Sequence, residues 1–377
     1  MVEVRWPRWA LHFFRPGRSM RGMLTRRECL ESSLLALLGS LLAGERTEAR
    51  PLEPARPGGS LPGPVKPARL KPGDTVGLVL PSFVQWDPVS IDILLDSLKA
   101  LGLNARLGKH VYDRLGYFAG RDEDRAADLN AMFADPGVNA IHCIRGGWGA
   151  ARLLPLLDWA AIAKHPKILI GYSDITALLL AIVAKTGLIT FHGPLGASSW
   201  NAFNVEWMKR VLWNGEAVSF ANLRQVDDAL VQVKNRTRTL VPGKARGRLL
   251  GGNLSVLAAL VGSGYLPDFR ESILFLEDVE EAPYRLDRML TQLKLAGILG
   301  QVKGVAWGTC EGCSPGEGFG SLTVPDVLED HFKPLGVPVY SGAMIGHVDR
   351  QFTRPLGVQV ELDADAGTIT MLESAVT

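Results

Sequence analysis

A serine becomes a nucleophile only where a base takes its proton and donors receive the negative charge that its attack creates. The stretch Lys167-Ile168-Leu169-Ile170-Gly171-Tyr172-Ser173-Asp174-Ile175-Thr176 meets the local part of that requirement. Its apolar run has strand length, Gly171 ends it, and from Ile175 the apolar residues continue through Leu178, Leu179, Ile182 and Val183 at helix length. The pattern predicts strand, sharp turn, helix. Ser173 would then stand off the sheet edge, and the Asp174 amide would point outward from a helix N-terminus, where main-chain donors and the dipole favour negative charge. The plainer alternative is that Ser173 or Asp174 only caps the helix.

A base must come from elsewhere in the chain. Of seven histidines, His192 and His347 follow strand-like runs in glycine-flanked loops, and the residues alone leave both open. An imidazole base needs a carboxylate to fix its tautomer and stabilise its cation. Glu277 ends the apolar run 273–276, where a carboxylate is costly unless paired. Its neighbours Asp278, Glu280 and Glu281 read instead as solvated or helix-capping groups. In Arg145-Gly146-Gly147-Trp148-Gly149 the glycines let backbone amides approach a ligand, which offers a second oxyanion donor, with a plain tight turn as the alternative. A dinucleotide fingerprint starting at Gly147 would need glycine at position 152, which is Arg152, so that reading fails. A general esterase elbow fails likewise, because position 175 of Gly171-Tyr172-Ser173-Asp174-Ile175 is not glycine.

The elements that must hold these residues alternate as in an α/β fold with a parallel sheet. Strands are expected at 76–80, near Ala105, at 138–144 and at 188–191, with helices at 91–101, 122–133 and 150–157 between them. Pro81-Ser82, Gly146-Gly147, Ser173 and His192 all follow strands, and active sites of open parallel sheets lie at those carboxyl ends. A helix over 205–213 and a polar stretch, 225–238, precede a second domain. There Gly247 to Leu254 leads into a helix through Leu260, strands are expected at 273–276, 302–307 and 337–340, and a helix at 283–295.

Length and composition agree with two domains and tails. The chain has 377 residues, 47% of them hydrophobic and 21% charged, as in a globular protein. Its net charge of +2 is concentrated at the start, where residues 1 to 27 hold seven arginines against Glu3. No basic surface for nucleic acid is implied beyond that segment. Thr25-Arg26-Arg27-Glu28-Cys29-Leu30 resembles a twin-arginine export motif, and the apolar run from Ser32 to Gly44 is too short to span a bilayer. Periplasmic export follows as an expectation, with no membrane span after processing; the alternative is a cytoplasmic protein whose translation starts beyond Cys29. Residues 45–69, rich in proline and charge, read as a linker, with the folded body starting near Leu70. Of four cysteines, Cys310 and Cys313 form a lone C-x-x-C that leaves a disulfide or two free thiols open, and no metal ligand set or cofactor motif is seen.

Six motifs resemble those of the LD-carboxypeptidase family and fall in that family's order: Arg145-Gly146-Gly147-Trp148-Gly149, Gly171-Tyr172-Ser173-Asp174, Phe191-His192-Gly193-Pro194, Gly251-Gly252-Asn253-Leu254, Leu276-Glu277-Asp278 and Gly346-His347. The likeness runs from about Leu70 to Leu372, and departs in Trp148, where tyrosine is usual. It implies a serine peptidase with the triad Ser173, Glu277 and His347, an oxyanion hole from Asp174 and Gly147, and substrate contacts at Arg145, Gly146 and Asn253, with His192 either a further substrate contact or a support behind the site. It implies no cofactor and no metal. It also implies a Rossmann-like parallel-sheet domain over 70–220 and a smaller C-terminal α/β domain over 221–377, with the active site between them. The substrate would be a murein tetrapeptide, cleaved before its terminal D-alanine; the sister branch cleaves microcin C, and a silent peptide-binding protein on this scaffold is the third reading. A homodimer stays open.

Overall fold

The computed structural model describes residues 63–224, 229–316 and 320–377, all within one compact unit. The export-like segment, Cys29 and most of the linker lie outside the described residues. Val65 already exchanges main-chain hydrogen bonds with Gly187 and Ile189, and Arg69 bonds to the carboxyl-terminal Thr377 (3.1 Å). The chain thus joins the body five residues ahead of Leu70, because the strand edge at Ile189 offers it free partners.

The first sheet has the order β12-β5-β4-β3-β1-β2, formed by β1 (Thr75–Val79), β2 (Asn104–Leu107), β3 (Ala140–Cys143), β4 (Ile168–Gly171), β5 (Thr190–His192) and β12 (Arg354–Leu356). Strands β1 to β5 are parallel, and β12 closes the edge antiparallel to β5. The connections after β1 and β2 run to opposite sides of the sheet, so a crevice opens at the carboxyl ends of β1 and β3. Burial explains the short apolar strands: every residue of β3 and β4 is shielded, as sheets covered on both faces require. Helices α1 (Val89–Ala100) and α2 (Asp122–Ala134) turn Ile91, Leu94 and Leu98, and Ala126, Leu129, Met132 and Phe133, inward at helical spacing. The helix expected at 150–157 is a 3-10 helix, Ala150–Leu156, with Pro155 inside it, rather than an α-helix. A short helix α3 (Trp159–Lys164) follows.

The second sheet runs β6-β14-β13-β8-β9-β10-β11-β7. It comprises β6 (Ser219–Ala221), β7 (Arg238–Val241), β8 (Lys244–Asn253), β9 (Ser272–Val279), β10 (Gly304–Glu311), β11 (Val339–Ser341), β13 (Gln359–Asp363) and β14 (Thr368–Met371). Strands β8 to β11 are parallel and the flanks antiparallel.

Helix α4 (Thr176–Thr186) joins the two sheets: residues 176 to 183 are all buried, and it packs on β4, β5 and β12 of the first sheet and on β8 of the second. A helix apolar all round belongs in an interior. Gly187, with φ of +72°, ends it. The second sheet can come this close only because Gly252 lacks a side chain, since a Cβ there would lie 2.5 Å from Thr176 Oγ1. The Asn253 amide then donates to that same oxygen (3.0 Å). No helix among the described residues is long and apolar enough to cross a membrane.

Candidate active site

Strand β4 ends at Gly171, Tyr172 is extended, and Ser173 takes φ of +62° before the chain enters α4. A serine in the left-handed region costs about 1–3 kcal/mol and persists only where its surroundings enforce it. The enforcement is visible at the next residue. The buried Asp174 carboxylate accepts from Ser82 Oγ (2.6 Å) after β1 and from the Ala150 amide (2.8 Å) after β3. One side chain therefore ties three strand ends together at the serine. Burial raises the Asp174 carboxyl above its ordinary value, against the pull of those two hydrogen bonds and of the Arg125 charge.

Glu277 lies near the end of β9, fully buried, and its neighbour Asp278 faces the other way, as alternation along a strand demands. Asp278 Oδ2 accepts from the Ser255 amide (2.9 Å) and hydroxyl (2.8 Å), at the start of α6 (Leu254–Ala259). Glu281 pairs with Arg285 in α7 (Pro283–Leu295), and Glu280 is exposed. Of these four carboxylates only Glu277 meets an imidazole among the described residues. Its Oε2 accepts from His347 Nδ1 at 2.9 Å, and His347 Nε2 lies 3.1 Å from Ser173 Oγ. That tautomer, with the proton on Nδ1, leaves Nε2 free to receive the serine proton. Gly346 is what lets the loop close down on β9, because with φ of +104° its Cβ would fall 2.4 Å from Glu277 Oε2.

The loop is fixed from the first half of the chain. Helix α5 (Ala202–Met208) presents Asn204, whose Oδ1 accepts from the Gln351 amide (2.7 Å) and whose Nδ2 donates to Asp349 O (3.2 Å). Asn201 Nδ2 donates to the same carbonyl (2.9 Å), and Gln351 Nε2 reaches Gly346 O (2.9 Å). Asn201, Asn204 and Gln351 do not stand out in the sequence, where an asparagine at a helix start reads only as a cap. The Tyr172 ring meets the His347 ring edge to face, with centroids 5.0 Å apart. Burial disfavours the His347 cation, but the hydrogen bond and charge of Glu277, with Asp278 and Glu280 adding, outweigh it and raise its pKa above 6.5. Burial likewise raises the Glu277 carboxyl, against the His347 contact.

The two halves that carry this array match the LD-carboxypeptidase N-terminal domain over residues 76–193 and the LD-carboxypeptidase C-terminal domain over residues 246–362. The chain belongs to the LD-carboxypeptidase family. It is 38% identical over 313 residues to a probable murein peptide carboxypeptidase of Bacillus subtilis, covering 83% of this chain and 95% of that one. Among solved structures it resembles the microcin C7 self-immunity protein MccF in complex with aspartyl sulfamoyl adenosine (TM-score 0.75, 29% identity, 83% of this chain and 100% of that one). It also resembles the muramoyltetrapeptide carboxypeptidase from Oxalobacter formigenes (TM-score 0.66, 27% identity, 79% of this chain and 97% of that one).

The remaining residues of this LD-carboxypeptidase chain fall into place around the array. Gly146 lies against Ser173, so that a Cβ on it would be 3.1 Å from Ser173 Cβ, and Gly147 packs on Phe83. Arg145 lies over the Phe83 ring at 4.8 Å. Asn253 caps α6 through Oδ1 and donates from Nδ2 to Asp278 (3.1 Å). Of the two roles open to His192 the structure favours support behind the site and corrects the substrate contact: it is 2% exposed, packed between Tyr172 and Phe275, and neither ring nitrogen has a partner among the described residues. Burial, with the charges of Arg354 and His347 adding, drops its pKa to about 3, so the ring supports Tyr172 as a neutral group. Cys310 and Cys313 are joined by a disulfide at the end of β10, beside the Glu281 amide. One surface trio among the described residues, His110, Asp113 and Asp124, brings metal-type ligand atoms within 4.8 Å of one another. Asp113 is already paired with His110, and Asp124 with Arg121.

Proposed function

We propose that the protein is a serine-type LD-carboxypeptidase that removes the terminal D-alanine of murein tetrapeptides. The observation that carries this is the continuous hydrogen-bonded path from Ser173 Oγ through His347 to buried Glu277. Ser173 Oγ attacks the carbonyl carbon before D-alanine while His347 Nε2 takes its proton, and Glu277 stabilises the imidazolium. The oxyanion is received by the amides of Asp174 and Gly147, of which the Gly147 amide makes no hydrogen bond among the described residues. Collapse of the intermediate breaks the C–N bond, His347 returns the proton to the leaving amine, and water then releases the peptide from the serine ester by the same route.

The murein reading follows the naming of relatives such as that of B. subtilis, whereas the likeness to MccF supports a second substrate class, aminoacyl adenylate analogues. Incubating the protein with a murein tetrapeptide and weighing the products separates them. Free D-alanine and a tripeptide are expected. Hydrolysis of aspartyl sulfamoyl adenosine with no action on the tetrapeptide would overturn the murein reading in favour of the second.

A further inference from the structure

Beside the nucleophile lies a group of aromatic rings that the proposed chemistry does not use. Phe83 and Trp86 follow β1, Tyr117 lies in the loop after β2, and Trp148 follows β3, so three strand ends contribute to one surface. Phe83 is its centre, with ring centroids 5.2 Å from Trp148, 6.2 Å from Tyr117 and 6.5 Å from Trp86. The outer three are open to solvent: Trp148 is 63% exposed, Tyr117 54% and Trp86 48%. Contiguous exposed aromatics of this kind mark a ligand surface rather than a core. Their polar tips are free as well, since the Tyr117 hydroxyl and the two indole N–H groups have no hydrogen-bond partner among the described residues. The guanidiniums of Arg145 and Arg114 flank the group, over Phe83 (4.8 Å) and Trp86 (3.9 Å).

We propose that this surface is a saccharide subsite, which seats a pyranose ring of the N-acetylated aminosugar that carries the murein peptide. The proposal rests on the murein reading above. A pyranose has an apolar C–H face and a rim of hydroxyls, and an aromatic ring with a free polar tip offers the complement of both. The position fits too. The serine touches Gly146, Gly147 touches Phe83, and the outer rings lie one ring further out. The surface thus lies a few contacts out from Ser173 on the strand-end side, and the sugar end of a tetrapeptide lies about three extended residues, roughly 10 Å, from the scissile bond.

The test compares a free tetrapeptide with the same peptide linked to its aminosugar disaccharide, in the wild type and in Trp86→Ala and Trp148→Ala variants. The wild type is expected to show a KM about tenfold lower for the sugar-bearing substrate, and each variant to lose most of that preference. No preference in the wild type, or a preference unchanged in both variants, would overturn the subsite. If neither substrate is cleaved, the murein reading has failed, and binding decides the subsite separately. Titration with chitotetraose should then quench tryptophan fluorescence in the wild type and not in Trp148→Ala. Quenching by adenosine monophosphate with no response to chitotetraose would assign the surface to a nucleobase instead.

Discussion

Two histidines end strand-like runs in glycine-flanked loops of this chain, yet the fold gives them opposite chemistry. His192 closes β5 in the first sheet, sealed beneath Tyr172 with no carboxylate partner among the described residues, and burial suppresses its cation to a pKa of about 3. His347 follows the second sheet in a loop, keeps 23% of its side chain exposed, and stands on Glu277. Nearness to Ser173 in sequence, 19 positions against 174, therefore does not decide which one serves it. What decides is a buried carboxylate on one ring nitrogen and an open path on the other. In the proposed mechanism the first sheet supplies the nucleophile and the second supplies its activation, so neither half would be competent alone.

The comparison can be broken most sharply by removing the favoured ring. His347→Ala should lower kcat for D-alanine release by about 10⁶, as loss of a triad histidine does elsewhere. Activity retained within tenfold would hand the role to His192. Glu277→Gln keeps the shape but removes the charge that holds the tautomer, and about 10⁴ in kcat is expected to go; a loss under tenfold would show that the carboxylate is structural only. Gly346→Ala drives a methyl into Glu277 Oε2 and shifts His347, which should cost about 10², the usual result of an ångström of misplacement. Stopped kinetics on the folded variant would measure it, and unchanged turnover would mean that the loop adapts.

The pH profile separates the two rings without mutation. The base must be neutral to accept the serine proton, and Glu277 holds the His347 pKa above 6.5. As pH falls through that raised value, kcat/KM should fall, with a single midpoint above 6.5. A base at His192, near pKa 3, would leave the profile flat between about pH 5 and 7. His192→Phe, which keeps a ring against Tyr172 and Phe275, should leave that midpoint in place.

Much of this was legible in the residues because it is local. The run Ile168–Gly171 and the apolar positions after Ile175 announce strand, turn and helix within a few residues of Ser173, and the buried run before Glu277 announces a costly carboxylate. The strands β6, β7, β12, β13 and β14 are not legible in the sequence, since four of them have three or four residues and they take partners from distant chain. Strand β12, with Pro355 in it, is the extreme case: it leaves the second half to finish the first sheet opposite His192. The Asp174 carboxylate was read only as a cap or as an amide, because its partners Ser82 and Ala150 come from other loops. The Asn204–Gln351 contact that steadies the His347 loop spans 147 positions, and no pattern of spacing could reveal it.

The most direct measurement of the central claim is D-alanine release from a murein tetrapeptide by Ser173→Ala, with circular dichroism and thermal unfolding run alongside. The account predicts a folded protein of nearly unchanged stability, because alanine keeps the Cβ and with it the same left-handed backbone position, in which turnover is lower by about 10⁶. A folded Ser173→Ala protein that still releases D-alanine at a rate within tenfold of the wild type would contradict it.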